Sequence, residues 1–269
     1  FSATLTIADG IFVGQGVGSD GLAAVNIVAP LFMITAGIGL MFGVGASIVA
    51  AIYLSRKKIK AARINITQAF IVSSFVMLLI SALMFFFHRE VGFFFGSSEK
   101  LLPMVLDYMD WIVPFLVFNM IMTLGLFIIR LDGSPVIAML CNLIPGLINI
   151  ILCYIFVMKL GWGIKGSAIA CSIGVIIGGV MVAVYAVFFS KTLRFFWIKA
   201  SRTSLLLTLR NVRYMVKLGS SALIGELALA SMFVIGNYVF IRALGEDGVA
   251  AFSIACYCFP LVFMINNAI

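Results

Sequence analysis

Long apolar runs separated by short polar connections make up almost the whole chain. Most runs are about 20 residues or longer, which is enough for a helix to cross a bilayer core of roughly 30 Å. Eight such segments are predicted, at residues 1–16, 23–54, 62–88, 102–129, 134–159, 163–190, 212–243 and 248–269. The expected fold is therefore all-α, that of a polytopic helical membrane protein.

The composition supports this fold class and argues against a soluble domain. Hydrophobic residues make up 64% of the chain and charged residues only 10%, whereas a soluble domain carries about 25% charged residues. A soluble domain cannot hide that much apolar surface from water. We therefore expect the lipid bilayer to cover much of it.

An internal repeat predicts two related halves. Residues 18–27 read GSDGLAAVNI and residues 245–254 read GEDGVAAFSI, which gives six identities in ten at an offset of 227 residues. Many transporters use such a duplication to build two lobes around a central site. We expect a first lobe at 1–190 with its first helix truncated, a basic cytoplasmic linker at 191–211, and the start of a second lobe at 212–269. The parent protein would be longer, with about twelve spans in two six-helix lobes.

The distribution of basic residues predicts the topology in the membrane. The net charge of +8 taken alone is compatible with nucleic-acid binding. However, thirteen of the 18 Lys and Arg residues lie in or beside the even-numbered connections, and only five lie at the odd-numbered ones. The positive-inside rule then places the even-numbered connections in the cytoplasm. We expect a multi-pass protein of the plasma or inner membrane, with the lipid bilayer as its partner and no nucleic acid.

Neither a metal site nor a nucleotide site is predicted. The five cysteines all lie in apolar segments without a CxxC pair, and the one histidine lies at a helix end. Metal sites need clustered ligands, and no GxxxxGK[ST] phosphate loop occurs. We therefore expect no catalytic residues, no metal and no cofactor, and nothing implies an obligate protein partner.

Asp9 is the first candidate for a functional residue because it lies inside an apolar run. An acid at membrane depth costs about 2.5–3.5 kcal/mol on insertion scales and usually faces a cavity or a partner. Asp9 precedes the turn at Gly18 by nine residues, which places it about 14 Å below that turn, near the bilayer middle. Such a carboxyl group can alternate between a proton-bound and a cation-bound state. The alternative is a helix-end acid that is hydrogen-bonded to neighbouring polar groups.

Glu226 is the second candidate, since it is the only acid in the run LGSSALIGELALASMFVIGNYVF. Apolar residues flank it for about two helical turns on either side. It could take part in ion coupling. The alternative is a structural role, in which Glu226 caps Ser220 or Ser221 or pairs with a basic residue of another helix.

Asparagines are candidates for lining a polar cavity. Asn142 and Asn149 lie seven residues apart in the fifth segment, on one face over two turns. Amides in membrane helices bridge helices or line polar cavities. Asn26 in the second segment is a further cavity-lining candidate.

Four stretches of the chain carry a family resemblance. They are DGIFVGQGVGSDGLAAVNIVAP, GIGLMFGVGASIVAA, IIRLDGSPVIAMLCNLIPGLINIILCYIFVMKLGWGIKGSAIACSIG and LGEDGVAAFSI. In this order they resemble parts of the first and second helices, the fourth connection through the sixth helix, and the second-lobe repeat of the multidrug and toxic compound extrusion (MATE) family. The resemblance covers nearly the whole chain.

The resemblance implies a V-shaped pair of lobes and a first-lobe ion site. In the family a first-helix acid serves as a cation or proton site, and Asp9 matches its position. A fifth-helix Asn followed four residues later by Asn or Asp completes that site. Asn149 matches the first member, whereas Cys153, also a cavity-lining candidate, departs from the second, since a thiol does not replace a hard oxygen ligand. Some family branches carry a seventh-helix acid close to Glu226, so both acids stay open as the coupling residue.

The resemblance and the two acids predict a secondary active antiporter. It would export small organic, often cationic, compounds or drugs by alternating access, in exchange for H⁺ or Na⁺. The nearest alternative is a lipid-linked oligosaccharide flippase of the same superfamily, which would need Lys or Arg in its central cavity to meet pyrophosphate; no predicted span carries one near its middle. An enzyme would need a cluster such as HExxH or GxSxG within a span, and neither occurs.

Overall fold

Helices joined by short connections make up the described chain. The structure, a computed structural model, describes residues 2–190, 192–196 and 202–268, with side chains for 7–190, 192–196 and 207–257. The elements in chain order are α1 (Ser2–Gly16), α2 (Ser19–Ser55), α3 (Ile59–Phe86), α4 (His88–Phe94), α5 (Leu102–Ile112), a 3₁₀ turn (Val113–Phe115), α6 (Leu116–Leu131), α7 (Pro135–Cys153), a π-helical stretch (Tyr154–Lys159), α8 (Gly163–Val184), a second π-helical stretch (Tyr185–Phe189) and α9 (Arg202–Ala268). No strand occurs in these ranges, which confirms the all-α class.

Six helical stretches in the described chain are long and apolar enough to cross a membrane. They are Ser19–Ser55, Ile59–Phe86, Leu102–Leu131, Pro135–Lys159, Gly163–Phe189 and Leu207–Tyr257. The shorter α1 has 15 residues. Gly245 divides α9, because its backbone is non-helical at φ 70° and ψ −152°, a region that favours glycine. With α1 counted, α5 and α6 taken together and α9 divided there, the helices correspond to the eight predicted segments, apart from the short α4, which was not predicted.

Two predicted boundaries differ from the structure. The fourth segment was expected to be one helix over 102–129, but the 3₁₀ turn at Val113–Phe115 separates α5 from α6. Pro114 explains the break, because proline removes a backbone donor and clashes with the preceding turn. Helix α9 begins at Arg202, ahead of the predicted start of the seventh segment at 212, and the role of 191–211 as a linker stays a prediction. Residues 191 and 197–201 of that stretch lie outside the described residues.

Polar contacts sort the connections into two ends of the helix bundle. At one end, Lys100 pairs with Asp20 at 3.6 Å and with Glu246, which joins the third, first and seventh connections. Its hydrogen bond to Glu246 and the nearby charge of Asp20 raise the pKa of the Lys100 ammonium. At the other end, Arg63 Nε donates to the carbonyl oxygen of Thr192 at 2.7 Å. Odd-numbered and even-numbered connections therefore lie at opposite ends, as alternating transmembrane helices require.

Asp132, in the turn between α6 and α7, fixes the residues that follow α8. Its Oδ1 accepts hydrogen bonds from the backbone N–H groups of Thr192 at 2.8 Å and Leu193 at 3.0 Å. Its Oδ2 accepts from the hydroxyls of Tyr185 at 2.9 Å and Ser190 at 3.1 Å. The side chain is buried, so these bonds compensate for the loss of water around the carboxylate.

Helix α2 lies between α6 and α9, and its glycines allow both to approach closely. A Cβ atom built on Gly39 would lie 2.9 Å from Cβ of Thr123 in α6, and one on Gly37 would lie 3.0 Å from Cβ of Glu226 in α9. Small residues at such interfaces let helix backbones pack where no hydrophobic effect drives association. This packing brings α9 alongside a cavity that Phe233, Cys256 and Tyr257 of α9 help to line.

Candidate functional site

A cavity of about 380 Å³ surrounds Asp9. Its wall comes from α1, α2, α5, α8 and the parts of α9 on both sides of Gly245. The lining residues are Asp9, Val25, Asn26, Ala29, Phe32, Met33, Tyr108, Cys171, Phe233, Cys256 and Tyr257. Asp9 is the one acid among these described residues, four of them are aromatic, and none is Lys or Arg. The cavity thus combines one carboxyl group with apolar and aromatic walls.

The Asp9 carboxyl group has an unsatisfied oxygen. Its Oδ1 is buried and has no hydrogen-bond partner in the described part of the chain. Cys153, at the end of α7, interacts with the carboxyl group through its thiol and is itself fully buried. A buried oxygen without a donor is costly for a charged group. Asp9 is therefore well placed to receive a proton or a cation, with Cys153 rather than an amide or a second carboxylate beside it.

The other fifth-segment candidates lie on α7, away from the cavity lining. Asn149 precedes Cys153 by one helical turn and packs against α8, where a Cβ atom on Gly174 would lie 3.2 Å from its Cβ. Asn142 is half-buried two turns earlier. The structure brings Cys153 to Asp9 and leaves Asn149 one turn away, so the coupling role of Asn149 stays a prediction.

Asn26 lines the cavity and also bridges two helices. Its Nδ2 donates to Oδ1 of Asn237 in α9 at 3.0 Å. Asn237 in turn donates through Nδ2 to the carbonyl oxygen of Phe95 at 3.2 Å. The cavity-lining candidate from the sequence therefore holds α2 against α9 as well.

Glu226 lies in α9 and is separate from the Asp9 cavity. It is half-buried, and its Cβ packs against Gly37 of α2. The ion pairs found among the described side chains are Lys100 with Asp20, Lys100 with Glu246, and Lys165 with Asp107; Glu226 takes part in none of them. The two candidate acids do not share one cavity, and the coupling role of Glu226 stays a prediction.

Several residues of the site were not predicted from the sequence. Tyr108, Cys171, Phe233, Cys256 and Tyr257 all line the cavity, but an aromatic residue or a cysteine in an apolar run gives no signal of its position. Asn237 did offer a signal, because it is an amide inside an apolar span.

The described residues contain no cluster of His, Cys, Asp or Glu that is arranged to hold a metal ion. The described residues that line the cavity contribute one carboxyl group, two phenols, one amide and two thiols.

The chain is similar to known membrane transporters. The MatE family model matches residues 1–155. A structure described as the inward-facing conformation of a multidrug resistance MATE family transporter of the MOP superfamily is 25% identical, with a TM-score of 0.85, over 96% of this chain and 58% of that one. The MATE multidrug transporter DinF-BH, solved as a complex, shares the fold at 23% identity, with a TM-score of 0.83 over 97% of this chain and 58% of that one.

A curated relative is also similar over part of its length. The FAD transporter of Shewanella oneidensis (strain MR-1) is 28% identical over 172 residues, which is 61% of this chain and 37% of that protein. The chain therefore spans little more than half of the solved transporters and about a third of the curated relative.

Proposed function

Because the chain belongs to the MatE family of membrane transporters, we propose that it works as a secondary active antiporter. It exports small organic, often cationic, compounds across the plasma or inner membrane in exchange for a coupling ion, H⁺ or Na⁺. In this proposal the first lobe is 1–190 and the second begins at 212. Substrate and ion each bind best in a different lobe arrangement, and this difference supplies the coupling free energy.

The chemistry of the Asp9 cavity supports an organic cation as the substrate. One carboxyl group lies among aromatic walls that include Phe32, Phe233, Tyr108 and Tyr257. Aromatic faces attract cations, and a volume of about 380 Å³ falls in the range of small-molecule sites. The single observation that carries the proposal is the unsatisfied Oδ1 of Asp9 within this aromatic cavity.

The same cavity argues against an anionic substrate. A dinucleotide such as FAD, or the pyrophosphate of a lipid-linked sugar, is bound most strongly by cationic partners such as Arg or Lys. None of the described residues that line the cavity is basic. An anion such as FAD, for which the Shewanella relative is named, therefore fits this cavity poorly, and the flippase alternative loses support.

The neighbours of Asp9 favour H⁺ over Na⁺ as the coupling ion. Hard cations bind several oxygen ligands from carboxylates, carbonyls and water. Cys153 brings a thiol to the carboxyl group instead, and no second carboxylate is among the described residues that line the cavity. A proton needs only the unsatisfied oxygen of Asp9.

Transport by the full-length protein in liposomes tests the proposal. Ethidium efflux is followed under an imposed pH gradient and, separately, a sodium gradient, for the wild type, Asp9→Asn and Glu226→Gln. Asp110→Asn is the matched control, since Asp110 is an exposed acid in α5. We expect pH-driven efflux that Asp9→Asn abolishes and Asp110→Asn preserves.

The other outcomes separate the alternatives. Loss of efflux only in Glu226→Gln would move the coupling site to α9. Efflux driven by sodium alone would overturn the proton assignment. No ethidium transport under either gradient would overturn the organic-cation antiporter and favour the flippase.

A further inference from the structure

The Asp9 cavity is closed by residues from the part of the chain assigned to the second lobe. Phe233 comes from α9 before Gly245, and Cys256 and Tyr257 come from α9 after it. The remaining lining residues belong to α1, α2, α5 and α8. Movement of α9 relative to these helices would therefore change the surroundings of Asp9 directly.

The ring of Tyr257 packs against the helix that carries Asp9. A Cβ atom built on Gly10, the residue after Asp9, would lie 2.9 Å from both Cδ1 and Cε1 of the Tyr257 ring. Real Cβ atoms do not approach ring carbons so closely, so the ring can lie on the α1 backbone because residue 10 is glycine. Gly10 is buried. The contact joins the Asp9 turn of α1 to α9 beyond Gly245.

The phenols and thiols around Asp9 come from four different helices. Tyr108 belongs to α5 and Cys171 to α8, while the thiol of Cys153 approaches from α7. Cys256 and Tyr257 come from α9, and no Lys or Arg is among the described lining residues. Free thiols and phenols ordinarily lose their protons only above about pH 8. Asp9 is therefore the group at this site that changes charge at lower pH.

We propose that Tyr257 is the positioning residue through which α9 responds to the charge on Asp9. An ionised carboxylate with an unsatisfied Oδ1 attracts a donor, and the phenol of Tyr257 is a strong donor that the second lobe brings to the cavity. Ionised Asp9 then holds α9 against α1 at Gly10. When a proton neutralises Asp9, only the ring packing remains, and the two helices separate more readily.

This mechanism deepens the proposed antiport, since it names the contact that links ion occupancy to lobe position. The separation of the helices can be measured without any substrate. Failure of the antiporter proposal and failure of the Tyr257 proposal are therefore distinguishable.

The test follows the distance between α9 and the first lobe as the pH changes. A donor and an acceptor dye are attached through unnatural amino acids at Ser19 and Asp247, which are both exposed, in the full-length protein. Energy transfer is recorded between about pH 8 and about pH 3, a range that spans the ordinary titration of an aspartate carboxyl group. We expect transfer to fall on acidification in the wild type and to stay constant in Asp9→Asn.

Tyrosine substitutions separate the hydroxyl from the ring. Tyr257→Phe keeps the ring on Gly10 but removes the donor, so the pH-dependent change in transfer should disappear. Tyr238→Phe is the matched control in the same helix, because the Tyr238 hydroxyl donates to the carbonyl oxygen of Phe93 at 2.7 Å, away from the cavity. It should keep the wild-type response. In transport, Tyr257→Phe should lower the maximal rate of ethidium efflux about tenfold with little change in KM.

Gly10→Ala tests the same contact from the α1 side, independently of whether Tyr257→Phe folds. Gly10→Ala inserts a methyl group into the space of the Tyr257 ring, so energy transfer should be low at both pH values. A wild-type response retained in Tyr257→Phe would overturn the proposal. A wild-type distance that does not depend on pH would also overturn it.

Discussion

Asn26 donates a hydrogen bond to Asn237 at 3.0 Å and so joins two helices through residues that are 211 positions apart in sequence. Both side chains are buried, with 4% and 0% of their surfaces exposed. Asn237 in turn donates a hydrogen bond to the carbonyl oxygen of Phe95. The amide pair therefore fastens α9 to α2 and to the connection after α4, beside the cavity that contains Asp9.

Breaking this pair should destabilise the protein by the cost of one unsatisfied buried amide. We expect Asn237→Ala to lower the free energy of unfolding by about 1–2 kcal/mol, since membrane hydrogen bonds contribute modestly and the lost partner adds a desolvation cost. Asn26→Ala should cost a similar amount, and the double variant less than the sum of the two. A double-mutant cycle in denaturant measures this coupling. Strict additivity would show that the two amides do not interact.

The helices of this fold could be predicted from the sequence because apolar length is a local property. The sequence predicts separate segments before and after Gly245, and the structure divides α9 at that glycine. The break at Pro114 was only partly predictable. A proline in a membrane helix can either kink it or end it, and neighbouring helices decide between the two.

The candidate site was less predictable because it depends on which helices meet. Asp9 could be found from its apolar surroundings. The family resemblance singled out Cys153, four residues after Asn149, and the structure brings the Cys153 thiol to Asp9. Tyr257 could not be found in this way. Its position on Gly10 follows from the packing of α9 against α1, which no local pattern encodes.

Asp132 should contribute strongly to stability. Asp132→Ala removes the acceptor of at least four hydrogen bonds, including those from the backbone N–H groups of Thr192 and Leu193. We expect a loss of about 3–5 kcal/mol in the free energy of unfolding, the range for disrupting a buried charged network. Thermal unfolding in detergent measures the loss.

Two milder variants set the scale for this prediction. Tyr185→Phe removes one hydroxyl from the network and should cost about 1 kcal/mol. Asp110→Ala changes an exposed acid and should stay within about 0.5 kcal/mol of the wild type. An Asp132→Ala variant no less stable than Asp110→Ala would contradict a fastening role for Asp132.

The ion pair of Lys100 with Glu246 should weaken only under alkaline conditions. The pKa of Lys100 is raised above its ordinary value of 10.5, so its stabilising contribution is fully present below that value. It is lost as the pH rises through the raised pKa and the ammonium loses its proton. The melting temperature of the wild type should therefore approach that of Lys100→Met between about pH 10.5 and about pH 12. Because Lys100 is largely exposed, the difference at neutral pH should be small and should shrink with added salt. A difference that survives at the alkaline end would show that Lys100 stabilises the protein by packing.

Glycines at the α2–α9 contact should tolerate no side chain, in contrast to a glycine elsewhere on α9. A Cβ atom on Gly45 would overlap the carbonyl oxygen of Met215, and one on Gly219 would overlap that of Met41. Because backbone atoms cannot rotate away, Gly45→Ala must push the two helices apart, at a cost of about 1–3 kcal/mol in unfolding free energy.

Gly225 offers the control, since a Cβ atom there meets nothing within 4 Å, and alanine is the better helix former by about 1 kcal/mol. Gly225→Ala should therefore raise the stability slightly while Gly45→Ala and Gly219→Ala lower it. Equal effects of the three substitutions on unfolding in denaturant would mean that α2 and α9 are not packed backbone to backbone, and the closure of the Asp9 cavity by α9 would lose its structural basis.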